Sequence, residues 1–162
     1  MAEYTAPLRD MRFALEHLAD LAGVTALPGF EHVDSDAVLS ILEENARFME
    51  DLVAPLNRVG DLQGSVRNDD GTVTTPDGFV AAYKAYVDAG WGAVPFPPEY
   101  GGSGFPWLMS IAMQEILTSA NMASRCARSS TRAPSTCSCT TRRRSTARPT
   151  SRRWSPASGP AR

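Results

Sequence analysis

Residues Gly90 to Pro106 read Gly-Trp-Gly-Ala-Val-Pro-Phe-Pro-Pro-Glu-Tyr-Gly-Gly-Ser-Gly-Phe-Pro. Four prolines and five glycines refuse both the helical and the sheet ladder, so the stretch is a shaped loop. Its glycines suit tight turns, and Trp91, Phe96, Tyr100 and Phe105 supply aromatic surface to bury between neighbouring elements. Helical patterns flank it on both sides.

Downstream, Pro106 opens a helix in which Trp107, Ile111, Glu115 and Thr118 share one side, with Leu108, Ala112, Ile116 and Leu117 widening it. Upstream, Thr75-Pro76 reads as a capped helix start, Phe79, Tyr83, Tyr86 and Val87 follow at helical spacing, and Gly90 closes the helix. Before that, Ser65-Val66-Arg67 and Thr72-Val73-Thr74 flank Asn68-Asp69-Asp70-Gly71, the pattern of a small β-hairpin. The acids of this turn lack the spacing and closing glutamate of an EF-hand, so they read as turn chemistry and not as a calcium loop.

Two helices are expected earlier. Leu8, Met11, Leu15, Leu18 and Ala22 align on one face of a first helix, with Gly23 at its end. Asp34-Ser35-Asp36 offers N-cap oxygens to a second, whose apolar stripe runs Val38, Ile41, Leu42, Phe48, Met49, Leu52, Val53 and Leu56. Pro55 predicts a kink near Asp51 or an end just before the proline. Glu43, Glu44, Glu50 and Asp51 read as a solvated face, and His17 and His32 as surface or packing residues without a catalytic role.

The loop motif Pro98-Glu99-Tyr100-Gly101-Gly102-Ser103-Gly104, the Gly90-Trp91 pair before it and the helix ending Ser119-Ala120-Asn121-Met122-Ala123 together resemble the N-terminal domain of acyl-CoA dehydrogenases. The opening Tyr4-Thr5-Ala6-Pro7-Leu8-Arg9-Asp10-Met11-Arg12-Phe13 narrows the resemblance to a longer-chain bacterial branch of that family. It covers residues 1–123. The fold expected is all-α, a helical N-terminal domain of acyl-CoA dehydrogenase type with one small β-hairpin, followed by a disordered tail over 124–162.

Charge and composition divide the chain at the same place. The net charge of −2 is the sum of a front carrying −12 and a stretch from Arg125 onward carrying +10, with no acid after Glu115. Residues 125–162 contain no Leu, Ile, Val, Met, Phe or Tyr, so they cannot present an apolar face and are expected not to fold. Cys126, Cys137 and Cys139 all fall there, with neither metal-site nor disulfide spacing. No apolar run approaches membrane-spanning length and the start lacks a signal-peptide core, so a cytoplasmic protein is expected.

Two readings of the tail compete. One is an arginine-serine segment that binds RNA phosphates, which would make the chain a helical interaction module. The other is GC-rich DNA read in the wrong frame from about Ala123 or Ser124. Shifting the register by one base and choosing allowed wobble bases turns Arg125–Arg142 into Leu-Cys-Pro-Leu-Leu-Asn-Gln-Gly-Ala-Ile-Asp-Leu-Leu-Leu-His-His. Pro149–Arg162 becomes Tyr-Leu-Pro-Lys-Met-Val-Ser-Gly-Glu-Trp-Thr-Gly-Thr. Both strings resemble what this branch of the family carries after the Ser-Ala-Asn-Met-Ala helix, in the right order, and the frameshift is the preferred reading, with nucleic acid not expected as a partner.

The resemblance implies that the intact protein oxidises an acyl-CoA thioester to the 2-enoyl-CoA. A glutamate takes the α-proton and FAD accepts the β-hydrogen as hydride, the protein supplying geometry and the base. It also implies an electron-transfer flavoprotein as acceptor and a homo-oligomer. In the family the flavin contacts lie in a later β-domain and the base in or near a C-terminal helical domain, so this chain alone is expected to be inactive, with no catalytic, FAD-binding or metal residue within it. Glu99 and Glu115 are carboxylates without an evident partner and are not assigned as the base. Thr118, Ser119 and Met122 are the candidate acyl-pocket residues. Without the domains that cover it, the inner side of the helical unit is expected to remain an exposed apolar patch.

Overall fold

A computed structural model describes residues 4–125. Its described elements are helical apart from one two-stranded hairpin, as the sequence leads one to expect. The expectations for the tail, namely disorder, a shifted frame and RNA binding, lie outside the described residues.

The first helical segment differs from the single helix expected over Leu8–Ala22. Helix α1 covers Leu8–Phe13, a π turn follows over Ala14–Leu18, and α2 begins afresh at Leu21–Thr25. The Ala19 amide bonds the Ala14 carbonyl, five residues back, at 2.9 Å. That wider turn shifts the apolar face, so Leu21 is buried while Leu18 and Ala22 face solvent. Asp20 separates the pieces at φ +51, and its Oδ1 accepts from the Gly23 amide at 3.2 Å. Gly23 therefore lies inside the first turn of α2 and does not end a helix.

Helix α3 spans Ser35–Phe48 and passes through a second π turn, Met49–Val53, into α4, Pro55–Gln63. Asp34 occupies the N-cap in extended conformation, but its side chain makes no capping bond; only its carbonyl accepts, from the Val38 amide at 3.0 Å. The irregularity expected near Asp51 is this π turn, and Pro55 stands at the first position of α4. Ala54, with φ −62 and ψ −41, is helical, and its amide reaches the Met49 carbonyl at 2.8 Å, so the π turn absorbs the irregularity before the proline starts α4.

The hairpin pairs β1, Val66–Arg67, with β2, Val73–Thr74, in antiparallel register Val66 to Thr74. Asp70 Oδ1 accepts from the Thr72 amide at 2.9 Å and from its hydroxyl at 2.6 Å, and these bonds hold the Asp70 carboxyl below the usual range. Helix α5 covers Phe79–Asp88, three residues later than Thr75-Pro76 suggests, because Gly78 stands at φ +83. Gln63 and Asp77 bond each other twice across that connector, at 2.8 and 3.0 Å. Gly90, at φ +73, closes the end of α5 as expected.

Helix α6, Trp107–Ala120, is the inner helix. Met109, Ala112, Met113, Ile116, Leu117 and Ala120 bury against Val38, Leu42, Ala46, Met49 and Val53 of the α3 run. The loop Gly90–Pro106 folds back on itself: Phe105 N bonds Val94 O at 3.1 Å, and Gly104 N bonds Phe96 O at 2.9 Å. A single 3-10 turn, Pro98–Tyr100, lies at its tip. Gly102 sits where a Cβ would collide with the Phe96 carbonyl, a close approach that only glycine permits.

Candidate substrate-facing surface

Helix α6 has a second side. Trp107 and Ile111 are exposed at 44% and 61%, the reverse of Ile116 at 0%. The side formed by Trp107, Ile111, Glu115 and Thr118 is therefore the outward one, and the residues expected only to widen it are the core. The Phe96 ring meets Trp107 edge-on at 6.0 Å, which joins this outward strip to the Pro/Gly loop.

The three candidate pocket residues all lie toward the far end of the strip. Thr118 is half-buried and its hydroxyl is committed to the Gln114 carbonyl at 2.6 Å. Ser119 is exposed and next to the Tyr4 hydroxyl. Met122 is exposed at 58% and lies past the end of α6, because Asn121 is extended at φ −159 and ψ 103. Glu115 is also on the outward side, whereas Glu99 is on the 3-10 turn of the loop, so the two carboxylates sit on different elements.

Several residues that position this surface carry no obvious signal in the sequence. Tyr4 donates its hydroxyl to the Ile116 carbonyl at 3.2 Å, and Glu50 accepts from the Ala6 amide at 2.7 Å. Burial first, and then the charge of Glu50, push the Tyr4 hydroxyl above its ordinary value. Glu50 is thus a half-buried anchor and not part of a purely solvated face. Asn121 is buried at 1%; its amide reaches the Val53 carbonyl at 3.4 Å and its Oδ1 accepts from Ser124 N at 3.0 Å. The second bond is an N-cap to the short turn that follows, a preference of asparagine that the sequence could have signalled.

Two cavities accompany the surface, lined by other residues. One of about 410 Å³ lies between α3 and the loop, with Ile41, Trp91, Val94 and Phe105 in its walls. The other, about 290 Å³, lies between α1 and α3 beside Arg9, Arg12 and Glu43. Neither fits a flavin dinucleotide. The larger has Glu44 as its one ionisable lining residue and offers no cation to a pyrophosphate. The smaller falls below the range of about 300–1,000 Å³ usual for drug-sized ligands. Among the described residues no group of three or more His, Cys, Asp or Glu could hold a metal ion, and no helix is long and apolar enough to cross a membrane.

No family model matches the chain. Over 119 residues, 74% of its length, it is 40% identical to the 3-methylmercaptopropionyl-CoA dehydrogenase of Ruegeria pomeroyi (strain ATCC 700808 / DSM 15171 / DSS-3). The matched segment belongs to the acyl-CoA dehydrogenase family. The matched segment spans 20% of that relative's length. An oxidoreductase family and a mostly helical segment accordingly agree with the reading of the Pro98–Gly104 loop and the α6 sequence.

Proposed function

We propose that residues 1–123 are the N-terminal helical domain of an acyl-CoA dehydrogenase and that 124–162 are its frame-shifted continuation. The complete protein oxidises an acyl-CoA thioester to the 2-enoyl-CoA with FAD, passes electrons to an electron-transfer flavoprotein, and works as a cytoplasmic homo-oligomer. The 162-residue chain by itself holds no FAD and is inactive. The observation that carries this reading is the exposed apolar surface of Trp107 and Ile111 on the outward side of α6, with Met122 exposed just past its end, in a helix whose opposite side is already packed.

On this proposal the strip is the wall that the helical domain turns toward the acyl chain and toward the flavin-bearing remainder of the enzyme. Thr118, Ser119 and Met122 border the acyl group, giving small polar and flexible thioether contacts at one end. A surface of this kind is kept apolar when something covers it in the working protein.

The test is to resequence the gene across codons 120–165 and to express both reading frames. In the restored frame, the product is expected to carry flavin absorbance and to oxidise acyl-CoA, and the 162-residue chain to do neither. A yellow, active preparation of the 162-residue chain overturns the proposal, as does an uninterrupted frame encoding the same arginine-rich tail.

A further inference from the structure

Helix α3 sets Ser40, Ile41 and Glu44 along one edge, since residues three and four apart are neighbours on a helix surface. That edge is one wall of the cavity of about 410 Å³, and the end of α5 at Ala89 and Gly90 and the loop residues Trp91, Val94 and Phe105 supply others. All of them line the same space, whose volume is in the range usual for small-molecule sites.

The chemistry of this lining has one sign. Glu44 is its sole ionisable residue. Ser40 donates its hydroxyl to the Asp36 carbonyl at 2.9 Å, which leaves the lone pairs of Oγ as acceptors. Ala89 is the C-cap of α5, and the carbonyl end of a helix carries partial negative charge. Trp91 and Phe105 add aromatic surface, and because Trp91 Nε1 is itself buried, the indole offers the cavity ring carbon and not its N–H. Aromatic rings attract cations to their faces. The compensating charge is on Arg47, which reaches Glu44 Oε1 at 2.8 Å from outside the lining. These two side chains are exposed at 67% and 62%, so theirs is a surface pair that a ligand can replace at small cost.

We propose that this cavity binds a primary alkylammonium ion, with its charged head between Glu44 and Ser40 and its hydrocarbon body against Ile41, Val94 and Trp91. The head donates to the Glu44 carboxylate and to Ser40 Oγ, and takes the place of Arg47 on Glu44. A carboxylate or phosphate of the same size would meet Glu44 with no cation in the lining, and a neutral alcohol would gain the apolar contacts alone. The site uses none of Thr118, Ser119 and Met122, and it stands whether or not the chain is a piece of an enzyme.

The experiment titrates the 15N-labelled 162-residue chain at neutral pH with n-hexylammonium chloride and, in parallel, with n-hexanol and sodium hexanoate. The Trp91 indole resonance is assigned through Trp91→Phe. The ammonium is expected to move the Trp91 signal saturably and leave that of Trp107 in place, while hexanol and hexanoate at the same concentrations give weaker, unsaturated shifts. Glu44→Gln is expected to weaken ammonium binding about fivefold, and Arg47→Gln, which frees the carboxylate, to tighten it by about the same factor. Both positions are exposed on α3, so neither variant threatens folding. A Trp91 signal that the ammonium does not move, an equal or stronger response to hexanol or hexanoate, or a Kd unchanged in either variant overturns the proposal.

Discussion

The hydroxyl of Tyr4 donates to the carbonyl oxygen of Ile116 at 3.2 Å, across 112 residues of sequence. With Ala6 N on Glu50 Oε1, it clasps the start of the described chain over both the inner helix and the second π turn.

Tyr4→Phe removes the clasp with little change of shape, and a cost of about 0.5–1.5 kcal/mol is expected. Burial, and then Glu50, raise the folded-state pKa of Tyr4 above its unfolded value. A raised value means that the stabilisation is fully present below the unfolded pKa, near about 10, and is lost as pH rises through the folded pKa. Thermal melts at increasing pH should therefore fall more steeply for the unaltered chain than for Tyr4→Phe once pH exceeds about 10.

The two sides of α6 should respond oppositely to truncation. Ile116→Ala opens a cavity in the core and is expected to cost about 2–5 kcal/mol, while Ile111→Ala on the outward strip should stay within about 0.5 kcal/mol. Denaturant unfolding of the two variants measures the difference.

Gly102→Ala forces a Cβ against the carbonyls of Phe96 and Ala93, which are backbone atoms that cannot swing aside. A loss of about 1–3 kcal/mol is expected, with local changes at Val94 and Phe105. Heteronuclear NMR spectra of the variant report both.

Asp70 holds the hairpin turn through Thr72, first by the hydroxyl and then by the amide, and its pKa is lowered on folding. A lowered value means the contribution is present above the unfolded pKa and is lost as pH falls through the folded one. The Thr72 amide resonance is expected to move upfield in acid with an apparent pKa below about 3.9, and Asp70→Asn to abolish that transition.

Elements with one strong signal were legible in the sequence. The Gly90–Pro106 loop, the hairpin around Asn68–Gly71 and the inner helix beginning after Pro106 all stand where their glycines, prolines and periodicity put them. The sequence misled where two sides of a helix are both apolar: nothing in Trp107, Ile111, Ile116 and Leu117 says which pair meets α3 and which faces out. It also hid both π turns, because a five-residue hydrogen bond leaves no composition of its own and shows only as a shift of phase, as at Leu18 and Leu21. For the candidate surface, Thr118, Ser119 and Met122 rest on the family resemblance alone, while Tyr4 and Glu50 required knowing which distant backbone groups they reach.

A π turn is an α-helix carrying one residue too many. Where Ala54 N reaches back to Met49 O, the surplus residue is already looped out of the regular ladder. Deleting a single residue between Met49 and Val53 would let the ladder close as ordinary α-helix while Ser35–Phe48 and Pro55–Gln63 keep their present facing. The same deletion a turn earlier or later would spin everything beyond it by about 100°. The chain thus carries, at a fixed address, a place where its length can change by one without its architecture changing at all.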